Sequence, residues 1–338
     1  MLEEDKSNHL ARLIQRRFPL DERPYLDLAR QIDASEEQVL KEIGRWKAEG
    51  KLREISAVME GAALGYDSAL VCGRVPREKL SSIANVISEH PTVTHNYERN
   101  HDYNIWFTIA VPHEMGLENH LNALSALTGI EPFHALRRTL TFKVGVAFDF
   151  KSKKNNTERI DLPESIESKD VNEIEKRIIR ALQTDLPVAE RPFRVLADQN
   201  GFREDDLLAF ARENLGGAVR RYIGTFRHRK MGVSANGMTV WNIPQEKLAR
   251  CGRLLADSPE VSHCYARTNV DDFPYTLYSM LHGPDGSSLQ ETARTLAERI
   301  ECDDYLILES PTEFKKTRLR YFLKELDEWW DSHGKLAA

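Results

Sequence analysis

The sequence lacks any apolar run of the roughly 18 residues that a membrane span requires. Residues 1–7 are acidic and hold no apolar stretch, so we predict no secretory signal. The four cysteines, Cys72, Cys251, Cys264 and Cys302, are far apart in the chain, which indicates neither a disulfide framework nor a paired metal site. These absences together predict a cytoplasmic protein.

An excess of basic residues is also absent, because the formal net charge is −6. Such a balance counts against nucleic acid as the main partner. The sequence has no Gly-rich dinucleotide loop and no cluster of metal ligands. What it does have is 338 residues, 41% of them hydrophobic and 30% charged, which is enough for two ordinary domains or four small ones.

The chain is one module written twice. Residues 18–25, which include Glu22-Arg23-Pro24, return 168 positions later as residues 186–193, which include Glu190-Arg191-Pro192. At the same offset, residues 93–99 return as residues 261–267. Two matches in the same register, far apart in the chain, indicate a tandem duplication.

Each copy first shows three short amphipathic helices, the last two in a helix-turn-helix arrangement, and then switches to strand patterns in the order βαββαβ. The predicted fold class is α+β, with a winged-helix-like helix-turn-helix and a ferredoxin-like domain in each copy. We expect the helix-turn-helix segments at 1–52 and 171–221 and the βαββαβ domains at 53–150 and 222–325. A polar linker is expected at 151–170, and a C-terminal helix or tail, whose tryptophans pack, at 326–338.

A helix-turn-helix joined to a βαββαβ domain resembles the Lrp/AsnC family of regulators, in which the start of the third helix reads DNA bases. Here that position carries Glu36 and Glu37 in copy one and Glu204, Asp205 and Asp206 in copy two. Carboxylates complement the helix dipole at that end, but they repel a polyanion. We therefore expect these helices to act as packing scaffolds.

Two stretches look chemical. On a strand, alternate residues share a face, so His95, Tyr97 and Arg99 of copy one can point together. His263, Tyr265 and Arg267 repeat this pattern in copy two. Such rows suit a flat polycarboxylate ligand, and the alternative is a buried hydrogen-bonded row inside a sheet, which the residues of copy one alone fit equally well.

Copy two adds the basic segment 227–230, which contains His228, Arg229 and Lys230 and has no counterpart in copy one. A structural duplication alone gives no reason to concentrate cations in one half, so we predict a functional role for His228 and Arg229. The alternative is a solvated loop.

In combination, these motifs resemble the siroheme decarboxylases, which are Lrp-like proteins of haem d and alternative haem biosynthesis. Copy one resembles their D-type subunit and copy two their L-type subunit, as in a natural fusion. The motifs that carry the resemblance are Tyr97-x-Arg99-x-His101-x-Tyr103-Asn104 with Trp106, His228-Arg229-Lys230 with Ala235-Asn236-Gly237, His263-Cys264-Tyr265, Phe273-Pro274-Tyr275 and His282-Gly283.

The resemblance implies a carboxy-lyase that removes two ring acetate carboxyl groups of siroheme and gives didecarboxysiroheme. It implies no required cofactor, since siroheme iron enters with the substrate. His228, His263 and His101 are the expected catalytic residues, with His228 or His263 as a ligand of the substrate iron. The residues expected to bind substrate are Arg229, Lys230, Arg267, Tyr265, Tyr275, Arg99, Tyr97, Tyr103, Trp106, Asn236 and His282.

We expect the two copies to pair within the chain, and a homodimer and hand-over to other haem d biosynthesis enzymes are further expectations. DNA and membranes are not expected partners. Two other functions remain open at this point. An Lrp/AsnC-type regulator would bind DNA in a salt-sensitive manner, and a tetrapyrrole sensor or carrier would bind siroheme without changing it.

Overall fold

The structure is a computed structural model that describes residues 2–144, 147–148, 155–156, 168, 170–227, 235–283 and 286–337. Contacts divide the chain into two compact units. The first comprises Met1–Leu64, Val146–Asn156 and Ile166–Gly232, and the second comprises Gly65–Gly145, Thr157–Ser165 and Val233–Ala338. Each unit therefore contains parts of both copies.

The described part of copy one follows the expected order of helices and strands. In chain order its elements are α1 (Glu4–Arg16), α2 (Pro24–Gln31), α3 (Glu36–Ala48), β1 (Leu52–Met59), β2 (Tyr66–Gly73), α4 (Leu80–Glu89), β3 (His95–Glu98), β4 (Ile105–Pro112), α5 (Leu117–Thr128) and β5 (His134–Val144), followed by the short strands β6 (Ala147–Phe148) and β7 (Asn155–Asn156).

Copy two repeats this order and extends it at the C-terminal end. Its elements are α6 (Glu173–Leu182), α7 (Pro192–Asn200), α8 (Glu204–Glu213), β8 (Val219–Phe226), β9 (Ala235–Trp241), α9 (Gln245–Ala256), β10 (Val261–Arg267), β11 (Leu277–Gly283), α10 (Gly286–Ile300), β12 (Tyr305–Leu308), β13 (Glu313–Lys316) and α11 (Lys324–His333).

Local sequence signals explain where the helices of the first unit begin. Ser35 and Gln38 form the expected capping box at the start of α3, with each side chain bound to the other residue's backbone N–H. Pro24 and Pro192 open α2 and α7, where a missing N–H costs nothing. The predicted helix starts are thus confirmed.

Strands β1 and β8 pair with each other in an antiparallel ribbon of the first unit. The sequence predicts that these two strands belong largely to the βαββαβ domains, with boundaries at 53 and 222. In the structure they belong with the helices, so the two units divide at 64/65 and 232/233. Helix α1 lies directly on this ribbon, since Ile14 leaves no room for a Cβ at Gly224.

The second unit contains a nine-stranded antiparallel sheet in the order β12-β9-β11-β10-β5-β2-β4-β3-β13. Each copy contributes its four strands in the ferredoxin-like order fourth, first, third, second. The first part of β5 pairs with β2 of its own copy, and its second part pairs with β10 of the other copy. In copy two, β12 and β13 divide this task between them. Strand β12 pairs with β9 of its own copy, and β13 pairs with β3 of copy one. Pairing of the copies within the chain is therefore confirmed.

Three hydrophobic cores lie among the described residues of this unit. One lies between α4, α5 and the strands of copy one, and a second lies between α9, α10 and the strands of copy two. The third contains residues from the strands of both copies, on the faces turned away from the helices, and includes Cys72, Trp106, Met238 and Tyr278. Trp329 of α11 packs into the core of copy one, which confirms its predicted packing role.

Candidate active site

The first row of candidate residues lies along β3 as the sequence predicted. The ring centres of His95 and Tyr97 are 6.1 Å apart, and the guanidinium of Arg99 lies 5.2 Å from the centre of the Tyr97 ring. Asn96, between them in sequence, points the other way and donates a hydrogen bond to the Ala84 carbonyl of α4 at 2.9 Å. The three side chains thus share the face that is turned away from the helices.

Strand β10 of copy two presents the same row. The ring centres of His263 and Tyr265 are 6.2 Å apart, and the Arg267 guanidinium lies 5.5 Å from the Tyr265 ring centre. Cys264 and Ala266 point instead into the core beneath α9 and α10. The expectation that alternate residues of this strand point together is confirmed.

Arg99 and Arg267 hold their charges in surroundings poor in water. Burial lowers the pKa of Arg99 to about 10, and it also lowers the pKa of Arg267. The Nε–H group of each arginine has no hydrogen-bond partner among the described residues. A shielded cation with a donor to spare is a favourable place for a ligand carboxylate.

A cavity of about 180 Å³ lies beside the row of copy two. It is smaller than the roughly 300–1,000 Å³ of a usual small-molecule pocket, so a whole tetrapyrrole does not fit inside it. Its walls combine hydroxyl groups with cationic side chains, and they include Ser68, Thr108, Arg138, Tyr265 and Arg267.

Ser262 is a site residue that the sequence reasoning missed. Its Oγ lies 2.9 Å from His263 Nδ1 and 2.6 Å from His282 Nε2, so one hydroxyl bridges two imidazoles. The repeat carried a signal, because a hydroxyl residue precedes the histidine in both copies, as Thr94-His95 and Ser262-His263. The link to His282 depends on the pairing of β10 with β11.

The other aromatic candidates lie in a buried cluster around Phe273. His101 stacks on Tyr103 with ring centres 6.0 Å apart, and Trp106 lies 5.5 Å from Phe273. The Trp106 indole donates to the Tyr103 carbonyl at 2.7 Å. Tyr275 joins the cluster 4.8 Å from Phe273, and its hydroxyl donates to Asp304 at 3.1 Å.

Tyr103 makes the most extensive polar contacts of this cluster. Its hydroxyl donates to Asp272 at 2.6 Å, and Arg74 lies 4.4 Å above its ring while also pairing with Asp272. Burial, assisted by the Asp272 hydrogen bond, raises the pKa of Tyr103 to about 12. Burial lowers the pKa of His101. The polar groups of Tyr103, Trp106 and Tyr275 all have hydrogen-bond partners within this cluster or at its edge. Their contact with substrate therefore stays a prediction.

The basic segment expected to complete the site, His228, Arg229 and Lys230, lies outside the described residues. Only the backbone of Asn236 is described, and it pairs with His282 across β9 and β11. Among the residues that are described, no group of three or more His, Cys, Asp or Glu side chains could hold a metal ion. No helix in that same part of the chain is long and apolar enough to span a membrane.

The starts of the third helices are occupied by ion pairs inside the first unit. Arg23 pairs with Glu36 of α3 and, at 3.3 Å, with Glu190 of the other copy. Arg191 reciprocally pairs with Glu204 of α8 and, at 2.9 Å, with Glu22. Each arginine of the repeated Glu-Arg-Pro motif thus connects the start of its own third helix, the part that would read DNA in a regulator, to the Glu-Arg-Pro motif of the other copy.

Comparison with known proteins identifies two domain types in the chain. The siroheme decarboxylase NirDL-like HTH domain matches residues 8–53 and 175–214, and the AsnC-like ligand binding domain matches residues 63–143 and 230–315. The siroheme decarboxylase of Hydrogenobacter thermophilus is 35% identical over 332 residues, which cover 95% of this chain and 96% of that protein. The chain belongs to the siroheme decarboxylase family.

Further relatives agree with the duplication. The siroheme decarboxylase beta subunit of Methanosarcina barkeri is 32% identical over 145 residues, which cover 43% of this chain and 95% of that subunit. A crystal structure of the siroheme decarboxylase NirDL in co-complex with an iron-uroporphyrin III analogue matches with a TM-score of 0.81 and 30% identity. That match covers 98% of this chain and 100% of the other, so the family fold extends over both copies.

Proposed function

We propose that this chain decarboxylates siroheme, converting two of its acetate side chains to methyl groups and giving didecarboxysiroheme. The observation that carries the proposal is the 35% identity to a siroheme decarboxylase over 95% of the chain. The crystallised relative bound to an iron-uroporphyrin III analogue supports a tetrapyrrole as the ligand class. No comparable observation favours the DNA-binding alternative.

Each decarboxylation replaces a carboxylate group by a hydrogen atom. The bond from the side-chain carbon to the carboxyl carbon breaks, carbon dioxide leaves, and the remaining carbon takes up one proton. The protein must therefore hold a polyanionic substrate, stabilise the charge that develops and deliver a proton at the correct carbon.

The buried arginines suit the first of these tasks. Arg99 and Arg267 each have an Nε–H group without a described partner and lie beside Tyr97 and Tyr265, and they would bind substrate carboxylates there. Arg229 and Lys230 are proposed to bind further carboxylates. Tyr103, Trp106, Tyr275, Asn236 and His282 are retained as proposed substrate contacts.

The histidines suit proton delivery, since imidazole titrates near neutral pH. His263 lies in the same row as Tyr265 and Arg267 and is the proposed donor. His228 is proposed as a second donor, and either of these two histidines as a ligand of the substrate iron. His101 is the proposed donor of copy one. We propose no cofactor beyond the iron that siroheme brings.

The decisive experiment is anaerobic incubation of the protein with siroheme, followed by mass spectrometry of the extracted tetrapyrrole. The proposal requires the loss of two carbon dioxide masses. Tight binding with unchanged mass would identify a tetrapyrrole carrier or sensor instead, and absence of binding would contradict both functions. His228→Ala and His263→Ala should each abolish turnover, whereas full activity in both variants would disprove their roles.

The remaining expectations concern the surroundings of the enzyme. The four cysteines are unbonded and buried, in line with the cytoplasmic location that we propose. The single-copy relatives are subunits of siroheme decarboxylases, and we propose that this chain also assembles further, into a homodimer. Hand-over of the product to other haem d biosynthesis enzymes is proposed on the family resemblance alone.

A further inference from the structure

Ser262 connects two histidines of copy two through one shielded hydroxyl. The residue is 5% exposed, and its Oγ lies within hydrogen-bonding distance of His263 Nδ1 at 2.9 Å and His282 Nε2 at 2.6 Å. A third contact, to the Met280 carbonyl, is longer at 3.4 Å. The two imidazoles are thus joined end to end by a single oxygen atom.

The chemistry of a hydroxyl couples the protonation of these rings. Ser262 has one proton to donate and lone pairs with which to accept. If its proton points to one imidazole nitrogen, the nitrogen on the other side must carry a proton to complete the second hydrogen bond. Reversing the direction of both hydrogen bonds moves one proton from one histidine to the other, and neither ring has to change position.

We infer that Ser262 is a positioning residue that relays protons from His282 to His263 during decarboxylation, an inference that rests on the proposed function. His263 gives the proton from its Nε2 to the carbon that has lost carbon dioxide. At the same time His263 Nδ1 takes the proton of Ser262, Ser262 takes the Nε2 proton of His282, and His282 takes a proton from water at its Nδ1. When His263 Nε2 then takes a proton from water, both hydrogen bonds return to their first direction and His282 Nδ1 releases its proton. Each turnover step consumes one proton and releases one carbon dioxide, so the balance closes.

Copy one lacks the second end of this relay. Thr94 Oγ1 lies 3.1 Å from His95 Nδ1, which reproduces the first contact, but its other partner is Thr108 Oγ1 at 3.0 Å. Ala110 pairs with Ser68 where His282 pairs with Asn236, and Ser68 and Asn236 are equivalent positions of the repeat. Alanine therefore occupies the position of His282, and the relay is confined to copy two.

The test compares Ser262→Ala with Ser262→Thr in the full chain, using siroheme as the substrate. Ser262→Ala should lower kcat by roughly 10- to 100-fold, because a proton-transfer step loses its supply. KM and the affinity for siroheme, measured by anaerobic absorbance titration, should stay within about twofold. Ser262→Thr restores a hydroxyl, the group that copy one carries at Thr94, and should recover most of kcat.

Two further variants sharpen the result. His282→Asn should reproduce the loss in kcat, and the Ser262→Ala/His282→Asn double variant should have a kcat no lower than that of His282→Asn, since both changes interrupt the same path. Thr94→Val is the matched control in copy one, where no second histidine is joined, and its kcat should stay within about twofold of that of the unaltered protein.

The outcomes separate the relay from the proposed function. If the unaltered protein gives no decarboxylated product, the proposed function fails and the relay fails with it. If that protein is active and Ser262→Ala has an equal kcat, the relay alone is overturned. A loss of siroheme affinity that matches the loss of kcat, or an additive double variant, would make Ser262 a structural residue and also overturn the relay.

Discussion

Arg99 and Arg267 make the same hydrogen bond at equivalent positions of the two copies. Arg99 Nη1 donates to the Leu308 carbonyl at 2.9 Å, and Arg267 Nη1 donates to the Leu136 carbonyl at 3.1 Å. Leu308 pairs with Met238 as Leu136 pairs with Leu70, so the acceptors are also equivalent. Each arginine of one copy is thus fixed by the last sheet strand of the other copy, and the copies build the two rows jointly.

This relationship predicts that lysine cannot replace either arginine. Arg267→Lys keeps the positive charge, but it loses the planar guanidinium group. In the unaltered protein that group binds the Leu136 carbonyl through Nη1 and at the same time offers its Nε–H to a ligand. A hydrogen bond to a charged group contributes about 1.5–3 kcal/mol, so the Kd for siroheme should rise roughly tenfold or more. Anaerobic absorbance titration measures this change, and Arg99→Lys provides the same test in copy one.

The control for these variants is Arg137→Lys on the same strand as Leu136. Arg137 lies on the surface and pairs with Glu118 at 3.0 Å, an exposed interaction of little energetic weight. Its replacement should leave the Kd within about twofold. Equal affinities for Arg267→Lys and Arg137→Lys would remove Arg267 from the proposed substrate contacts.

Some of this arrangement could be predicted from the sequence because it is periodic. The 168-residue offset revealed the duplication, and alternation along one strand revealed the rows that end in Arg99 and Arg267. Alternation is a local signal, because it depends on spacing within a few residues, and the offset needs only the comparison of short motifs along the sequence. The order βαββαβ could be predicted in the same way from changes of hydrophobic period.

Features that depend on distant pairing could not be predicted in this way. Strand β1 has the pattern of a sheet strand, but nothing in its residues indicates that its partner is β8 of the other copy. The bridge from Ser262 to His282 likewise requires the register of β10 and β11. For Tyr103, an aromatic ring with a hydroxyl suits both a ligand wall and a core, and only the fold gives it Asp272 as a partner.

The ion pairs between the helix-turn-helix segments predict a role in stability. Arg23→Ala removes the partner of Glu36, whose side chain is 9% exposed, and leaves a shielded carboxylate without its cation. Unfolding by urea should therefore occur at a lower concentration than in the unaltered protein. Arg30→Ala is the control, because Arg30 is 70% exposed and pairs with Asp27 at 3.3 Å, and its midpoint should be nearly unchanged. Equal midpoints for both variants would contradict the proposed role of the ion pairs.

Tyr103 gives a second stability prediction, in the aromatic cluster of the other unit. Tyr103→Phe deletes a buried hydroxyl that donates to Asp272 at 2.6 Å, so the free energy of unfolding should fall by about 1–2 kcal/mol. Asp272→Asn retains an oxygen acceptor for Tyr103 and should cost less than Tyr103→Phe. Urea titration of both variants measures the difference, and a larger loss in Asp272→Asn would assign the energy to the Arg74 ion pair instead.

A pair of buried histidines beneath α11 predicts how the second unit responds to acid. His90 Nε2 and His120 Nδ1 are 3.0 Å apart, and the His120 ring stacks on Trp329 with ring centres 5.5 Å apart. Burial lowers the pKa of His120 from 6.5 to about 4, and burial, His120 and Lys315 lower the pKa of His90 in the same direction. His333 is a further titratable group that faces this pair.

The sign of the effect follows from these directions. Between pH 6.5 and about 4 the unfolded chain binds more protons than the folded one. The contribution of the neutral histidine to the free energy of unfolding is therefore complete above pH 6.5 and is lost on acidification. For His120 alone the loss from pH 7.5 to pH 5 should be about 2 kcal/mol. Urea unfolding followed by tryptophan fluorescence should record it, and His120→Gln should reduce this loss, whereas His9→Gln on the exposed face of α1 should retain it. An undiminished loss in His120→Gln would show that the acid sensitivity of the unit resides elsewhere.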